Sequence, residues 1–421
     1  MEIDILYNHW KQSTGIVTDS RKVNPGCIFF ALKGDKFDGN TFAYDAIESG
    51  ADFVVVDDTA FKNNDNARVI WVEDALETLQ HLAGYHRSQL KIPFLAITGS
   101  NGKTTTKELT RDVLSAKYKV YATIGNLNNH IGVPLTILSI SDDIEFAIIE
   151  MGANHQGEID MLCNIARPDY GVITNIGKAH LEGFGGVEGI KRGKSEMYRY
   201  VAAADGHIFV NMDDEILKSL LPTDAHLLTF HASVLHINAQ NTDILAYQYK
   251  DKVYQTHLYG TYNLSNIAFA IACGQYFGVA ETDIHTAIMN YKPENNRSQI
   301  LEYNGNKIIL DAYNANPSSM KASIESFVRL GGDQVIVIGD MFELGTYSQE
   351  EHLALIRMIE QYNFIDIIYI GPMLSSLSDG HKGHFFTNIS EAKAYFVAQG
   401  YQNKKILLKG SRGISVEKIL E

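Results

Sequence analysis

The stretch FLAITGSNGKTTTK, from Phe94 to Lys107, decides how the rest of the chain is read. Four apolar residues and a threonine predict a short buried strand. A glycine turn follows, and Gly102-Lys103-Thr104 opens a helix whose apolar positions Leu109, Val113 and Leu114 recur at helical spacing. Backbone N–H groups at such a turn and at a helix N-terminus converge on one point, which makes an anion site. Lys103 adds a positive charge for terminal phosphates, and the Thr104 hydroxyl offers a Mg²⁺ ligand. Gly99, Asn101 and Thr105 complete the expected phosphate cradle. The common phosphate-loop spacing places a glycine five residues before Gly102, where Ile97 stands, so this is a shorter Thr-Gly-x-x-Gly-Lys-Thr-Thr loop.

The bulk of the sequence bounds the possibilities. At 421 residues the chain exceeds one ordinary core, and two or three domains are expected. Hydrophobic residues make up 45% and charged residues 20%, the composition of a globular protein. No apolar run approaches the roughly eighteen residues that a membrane span needs. The first residues, MEIDILYNHWKQ, carry acids where an export signal carries bases. Cys27, Cys163 and Cys273 stand alone, which fits a reducing compartment and argues against structural zinc. We therefore expect a cytoplasmic protein, a monomer. A net charge of −14 disfavours nucleic acid as partner, while a local basic pocket can still hold an acidic small molecule.

In order along the chain, strand-like runs at Cys27–Leu32, Phe53–Asp57 and Val69–Val72, with helical patterns near Phe42–Ser49 and Asp74–Gln89, predict a small α/β unit over residues 1–90. Its polar stretches, Thr18 to Gly26 and Lys33-Gly34-Asp35, read equally as Asp/Pro/Gly turns or as a binding lip in which Arg21 and Lys33 face an anion. Over residues 91–293, strands at Phe94–Thr98, Val120–Thr123, Phe146–Glu150, Tyr170–Thr174 and His207–Asn211 alternate with helices. That alternation marks a mainly parallel sheet whose ligands collect at the strand C-termini. There lie Gly125-Asn126-Leu127-Asn128-Asn129, Glu150-Met151-Gly152-Ala153 and Thr174 to Glu182. Glu150 ends an apolar strand beside the phosphate loop, where a carboxylate can complete a Mg²⁺ shell with Thr104. His180 reads equally as a structural histidine or a ligand. Lys191 to Glu196 has the composition of a solvated basic helix face. His226 to Tyr259 suggests short antiparallel strands, and Asn263 suits a helix N-cap. After the polar run Glu294–Ser298, alternation resumes and predicts a Rossmann-like third domain over 294–421, with Asp311 to Pro317, Gly339 to Gly345 and Lys409 to Gly413 at its strand ends. The fold class is thus α/β, in three domains.

Taken together, TGSNGKTTTK, EMGA and TNIGKAHLE resemble the Mur ligase family of ATP-dependent amide-forming enzymes, over nearly the whole chain. GNLNNHIGVPL, DAYNANPSSM, GDMFELG and LLKGSRG are similar to its dipeptide-adding branch. The resemblance implies a first domain that holds a UDP-MurNAc-peptide, with Ser20, Arg21 and Lys33 at the UDP-sugar end. It implies phosphoryl transfer from ATP to the terminal carboxylate of a UDP-MurNAc-tripeptide, then attack by the amine of D-alanyl-D-alanine on the acyl phosphate. Such chemistry demands charge stabilisation around in-line oxygens. By the same resemblance Thr104 and Glu150 serve one Mg²⁺, His180 serves a second, and Lys103 holds phosphates. Asn263 and Asn266 lie near adenine, with Tyr262 where histidine is commoner. Arg297, Asp311 and Asn314 reach the nucleotide from the third domain, and Asn128, Asn129 and Asn316 face substrate. Lys194 falls where the family carries a carbamylated lysine. An ammonium about 5 Å from a divalent ion, at an effective dielectric near 20, would be repelled by roughly 6–7 kcal/mol, and a carbamate reverses that sign.

Other readings have identifiable signatures. A sister ligase adding a diamino acid would carry Asp-Asn-Pro-Arg where Asn314-Ala315-Asn316-Pro317 stands. Folylpolyglutamate synthetase shares the central fold and should lack the front domain. A non-catalytic ATP-binding scaffold would have lost Lys103, Glu150 or His180, and all three are present.

Overall fold

A computed structural model describes residues 2–34, 36–237, 244–294 and 296–421. Asp35 of the Lys33-Gly34-Asp35 turn, Asn295 of the polar run and positions 238–243 of the expected antiparallel region lie outside the described residues.

The central sheet has six parallel strands in the order His226–Phe230, His207–Asn211, Tyr170–Ile173, Phe94–Thr98, Phe146–Glu150 and Val120–Ala122. Side-chain alternation explains why Phe94–Thr98 sits in the middle. Phe94 and Ala96 enter one core, against Leu79, Leu82 and Ile137, while Leu95 and Ile97 enter the other, against Leu109, Val113 and Ile267. The predicted helix runs from Lys103 to Ser115 and buries Leu109, Val113 and Leu114. The Ala-rich helix Leu264–Tyr276 packs along it, and Gly274 permits the contact, since a Cβ there would lie 2.5 Å from Val113 Cγ1. The strand order changes direction between Phe94–Thr98 and Tyr170–Ile173, and the crevice outside their C-termini is where such sheets bind ligands.

On one side lies a four-stranded parallel sheet, Ile16–Val17, Ile28–Phe30, Phe53–Val56 and Val69–Trp71. The helix Ala75–Gln89, N-capped by the Asp74 carboxylate, leads from it to the central sheet. On the other side a six-stranded sheet, in the order Gln299–Tyr303, Asn306–Leu310, Lys405–Lys409, Gln334–Gly339, Asp366–Ile370 and His384–Phe386, is parallel except for its first pair.

Two differences from the sequence reading are instructive. The amphipathic N-terminal segment forms the helix Ile3–Gln12, which buries Leu6 and Trp10. His226–Phe230 is a parallel edge strand of the central sheet, and antiparallel pairing begins only with His236–Ile237, Ala246–Tyr249 and Lys252–Gln255. A half-exposed edge strand carries alternation without any mark of its direction.

Candidate active site

The phosphate loop is braced from behind by the loop after the neighbouring strand. Ser100 N–H donates to the Asn175 carbonyl at 3.0 Å, Asn101 N–H to Asn175 Oδ1 at 3.1 Å, and the Thr174 hydroxyl to the Asn101 carbonyl at 2.6 Å. These bonds fix the loop before any ligand arrives. Gly102 sits at φ +80°, and a Cβ there would come 2.7 Å from Asn266 Oδ1, so this position requires glycine twice over. The Lys103 ammonium curls back onto the Gly99 carbonyl at 2.8 Å. Burial pulls its pKa down, only partly offset by Glu150. A phosphate offers it a stronger partner than a neutral carbonyl.

Glu150 is 1% exposed at its strand end. Its Oε1 accepts from the Thr104 hydroxyl at 3.1 Å and from Asn128 Nδ2 at 2.8 Å, and its Oε2 accepts no hydrogen bond. A buried carboxylate oxygen without a donor, next to a threonine hydroxyl at a phosphate loop, suits a hard, oxygen-seeking cation such as Mg²⁺. No group of three or more His, Cys, Asp or Glu forms a metal cage among the described residues. That also suits Mg²⁺, which takes one or two protein ligands and completes its shell with phosphate and water.

These groups line a cleft of about 710 Å³ between the central and C-terminal sheets. It contains Asn101, Gly102, Lys103, Thr104 and Thr105 from the loop, and Asn128, Asn129, Glu150 and His180 from the neighbouring strand ends. Asn263 and Asn266 come from the Ala-rich helix, and Arg297, Asp311, Asn314 and Asn316 from the third region. The sequence-predicted cofactor residues therefore converge, apart from Gly99, which supplies the carbonyl under Lys103. Asn129 has a structural duty as well, because its Oδ1 accepts from the N–H groups of Ile131 at 3.2 Å and Gly132 at 2.8 Å where the next helix begins. Asn263 stands at an N-cap, yet its side chain donates to the Tyr259 carbonyl and accepts from Asn266 instead of capping. Tyr262 donates or accepts with the Ser298 hydroxyl at 2.8 Å.

Ser20, Arg21, Lys33 and Lys194 are not among the residues that line this cleft. Arg21 is paired with Asp19 at 2.8 Å on the surface, and Lys33 with Asp57 at 2.9 Å. His180 reaches the cleft at φ +55°, and its Nδ1 lies against the Glu343 carboxylate, whose pKa it lowers.

The Lys191–Glu196 stretch is the clearest departure from its composition. It is not a solvated face. Gly189, Ile190, Gly193 and Lys194 form the buried stripe of the helix Val187–Lys194, with Lys194 1% exposed, while Arg192 points outward. The Lys194 ammonium donates to the Ala153 carbonyl at 3.2 Å and lies over the Phe184 ring. Burial, reinforced by Lys103, drives its pKa well down. Glu196, also buried, accepts from the N–H groups of Gly157 and Asp160 and so caps the helix Glu158–Ala166. The i,i+4 spacing of Ile190 and Lys194 was the available signal for burial.

The sequence places Tyr313 and Lys409 at strand ends without giving either a role of its own; the Tyr313 ring carries the Arg297 guanidinium 3.5 Å from its centroid, and Lys409 is paired with Asp311 at 2.6 Å. Ser318, within the DAYNANPSSM motif but given no role of its own, accepts through its hydroxyl from Lys178 N–H at 2.9 Å. Tyrosine and serine in a loop carry little chemical signature until a cleft collects them.

A braced phosphate loop, a buried carboxylate beside it and a second Rossmann-like sheet closing over both define an ATP-dependent ligase architecture. Residues 12–87, 97–274 and 296–412 match, respectively, the families described as "Mur ligase family, catalytic domain", "Mur ligase middle domain" and "Mur ligase, glutamate ligase domain". The chain belongs to the Mur ligase family. It is 34% identical to the UDP-N-acetylmuramoyl-tripeptide--D-alanyl-D-alanine ligase of Bacillus subtilis, over 97% of this chain and 92% of that protein. Its structure is similar to the crystal structure of MurF from Acinetobacter baumannii, with TM-score 0.89, 29% identity and coverage of 99% and 97%. It is also similar to the MurF ligase of Thermotoga maritima in complex with ADP, with TM-score 0.85, 28% identity and coverage of 98% and 97%.

Proposed function

We propose that this protein is the ligase that joins D-alanyl-D-alanine to a UDP-N-acetylmuramoyl-tripeptide with hydrolysis of ATP to ADP and phosphate. The reading rests above all on the convergence of Lys103, Thr104 and Glu150 with Arg297, Asp311 and Asn314 in one cleft. A sheet of its own thus covers the phosphate loop. Relatives of that name at about one-third identity, over nearly full length, support the choice of substrates.

The steps follow from the residues. The loop N–H groups and Lys103 hold the ATP phosphates. The tripeptide carboxylate attacks the γ-phosphorus, the bond to the ADP oxygen breaks, and an acyl phosphate forms. The dipeptide amine then adds to the acyl carbon, loses a proton, and phosphate leaves from the tetrahedral carbon. Positive charge around the transferring oxygens is the main protein contribution. Thr104 and Glu150 would hold one Mg²⁺, and His180 with Lys194 would serve a second, supplying charge neutralisation at the phosphates. For Lys194 the proposal is a carbamate, formed when the neutral amine adds to CO₂ and releases a proton. Burial favours that neutral amine, the reactive form. Closure of the third region over the cleft keeps water from the acyl phosphate.

Front-domain residues 1–90 would hold the UDP-sugar, the span 91–293 ATP, and the Rossmann-like region 294–421 would bring Arg297, Asp311 and Asn314 to the nucleotide. Phosphate release from ATP with UDP-MurNAc-tripeptide tests the reading, with D-Ala-D-Ala, D-Ala and L-lysine compared as acceptors. Turnover is expected with D-Ala-D-Ala. Turnover with L-lysine on the dipeptide precursor, and none with D-Ala-D-Ala, overturns it.

A further inference from the structure

The last residue of the phosphate-loop stretch, Lys107, has no place in the scheme above, yet it is 1% exposed. It lies one helical turn beyond Lys103, and its ammonium is 3.5 Å from Glu150 Oε2, the oxygen that accepts no hydrogen bond. Its donated hydrogen bond goes elsewhere, to the Gly125 carbonyl at 3.3 Å. A second carboxylate, Glu108, lies 3.9 Å away and is itself anchored by the Tyr291 hydroxyl at 2.7 Å. One buried ammonium is thus shared between two carboxylates, and its contact with Glu150 is electrostatic without a formed hydrogen bond.

We propose that Lys107 is a resident counter-cation for Glu150, holding the oxygen that a divalent ion would take and yielding it only when the ion arrives with nucleotide phosphates. The inference rests on the reading of Glu150 as a metal ligand. Its physical basis is competition. A buried carboxylate needs a positive partner, and a fixed ammonium beside it repels a second cation through the same low-dielectric space. Without nucleotide, a divalent ion would gain one carboxylate and one hydroxyl and meet that repulsion. With nucleotide, phosphate oxygens add ligands and negative charge, and Lys107 can lean on Glu108 and the Gly125 carbonyl. The pair therefore makes metal loading depend on the nucleotide, and Lys107 acts through Glu150 without touching substrate.

The test is Mn²⁺ binding to the full chain, followed by the electron paramagnetic resonance signal of free Mn²⁺, with and without ADP. Lys107→Met should bind Mn²⁺ in the absence of nucleotide about tenfold or more tighter than wild type, a gain that mere structural damage does not produce. Lys107→Arg, which keeps the charge, should stay within about threefold of wild type. Adding Glu150→Gln to Lys107→Met should remove the gain, which separates Glu150 from Glu108 as the site. Should the Met variant fail to fold, Lys107→Gln makes the same test. Unchanged or weaker nucleotide-free binding by these neutral variants, while Glu150→Gln alone impairs Mn²⁺·ADP binding, overturns the counter-cation role and leaves the ligand reading standing. Mn²⁺·ADP binding that is indifferent to Glu150→Gln overturns both.

Discussion

Asn101 and Asn316, 215 positions apart in sequence, meet amide to amide across the cleft, with Asn316 Nδ2 donating to Asn101 Oδ1 at 2.7 Å. The two partners are not equivalent. Asn316 also caps the helix Pro317–Arg329, accepting from Ser319 N–H at 2.9 Å, so its replacement would remove a cap worth about 1 kcal/mol as well as the bridge. Asn101→Ala is the cleaner probe of closure. A hydrogen bond bridging the two sheets is worth about 1 kcal/mol, so kcat/KM for ATP should fall several-fold with little change in Tm. Kinetics within twofold of wild type would remove this bridge from the account of closure.

Lys103 offers a test in which stability and activity part company. Burial makes its charge costly while only carbonyls receive it, so Lys103→Met should leave the thermal transition unchanged or slightly raised. Turnover should drop by about 10²–10³-fold, the scale for removing one strong transition-state charge contact. Circular dichroism melts and phosphate release on the same preparations check both halves. Turnover near wild type would break the link between this loop and phosphates.

Asp57 gives the front region a predictable acid response. Burial raises its carboxyl, but Lys33, Asn40 Nδ2 and the Ala75 N–H together outweigh that and leave the pKa below its ordinary value. Because the folded pKa is depressed, the stabilisation is complete above the unfolded value near 3.9 and is lost as pH falls through the folded value. Asp57→Asn should therefore cost about 1–2 kcal/mol at pH 7, and the gap to wild type should close below about pH 4. Urea titrations of both proteins at several pH values measure it. A gap that is constant from pH 7 to 3 would mean that the carboxylate charge contributes nothing.

The strands and helices that build the cleft were legible because they are buried on two faces or on one stripe, as Phe94–Thr98 and Lys103–Ser115 show. Periodicity records burial. It does not record strand direction, so the sequence suggests antiparallel pairing where His226–Phe230 pairs parallel, and it does not record which polar residues a third sheet will bring near. Lys409 and Tyr313 reach the cleft that the phosphate loop lines because Asn306–Leu310 and Lys405–Lys409 are adjacent strands whose ends face it. Lys194 was hidden for a different reason. Neighbouring charges masked an apolar stripe on which one lysine had been placed.

That placement supports the last prediction. A lysine held at 1% exposure over Phe184, with one carbonyl as its hydrogen-bond acceptor, is poorly stabilised as an ammonium. Conversion to a carbamate exchanges a poorly compensated buried cation for an anion that a divalent ion can neutralise. Lys194→Ala should therefore lose most of its activity, by about 10²-fold or more if it removes one electrostatic element of the phosphoryl-transfer site. Added bicarbonate or a short carboxylate, occupying the vacated space, should restore part of it, and neither should affect wild type similarly. Intact-mass measurement under native, bicarbonate-containing conditions should find wild type about 44 Da heavier than the plain chain, a shift that Lys194→Arg abolishes. Full activity in a wild-type preparation whose Lys194 is a free amine would refute the carbamate, because the buried charge would then have to be accommodated by Glu158 and Glu196 alone.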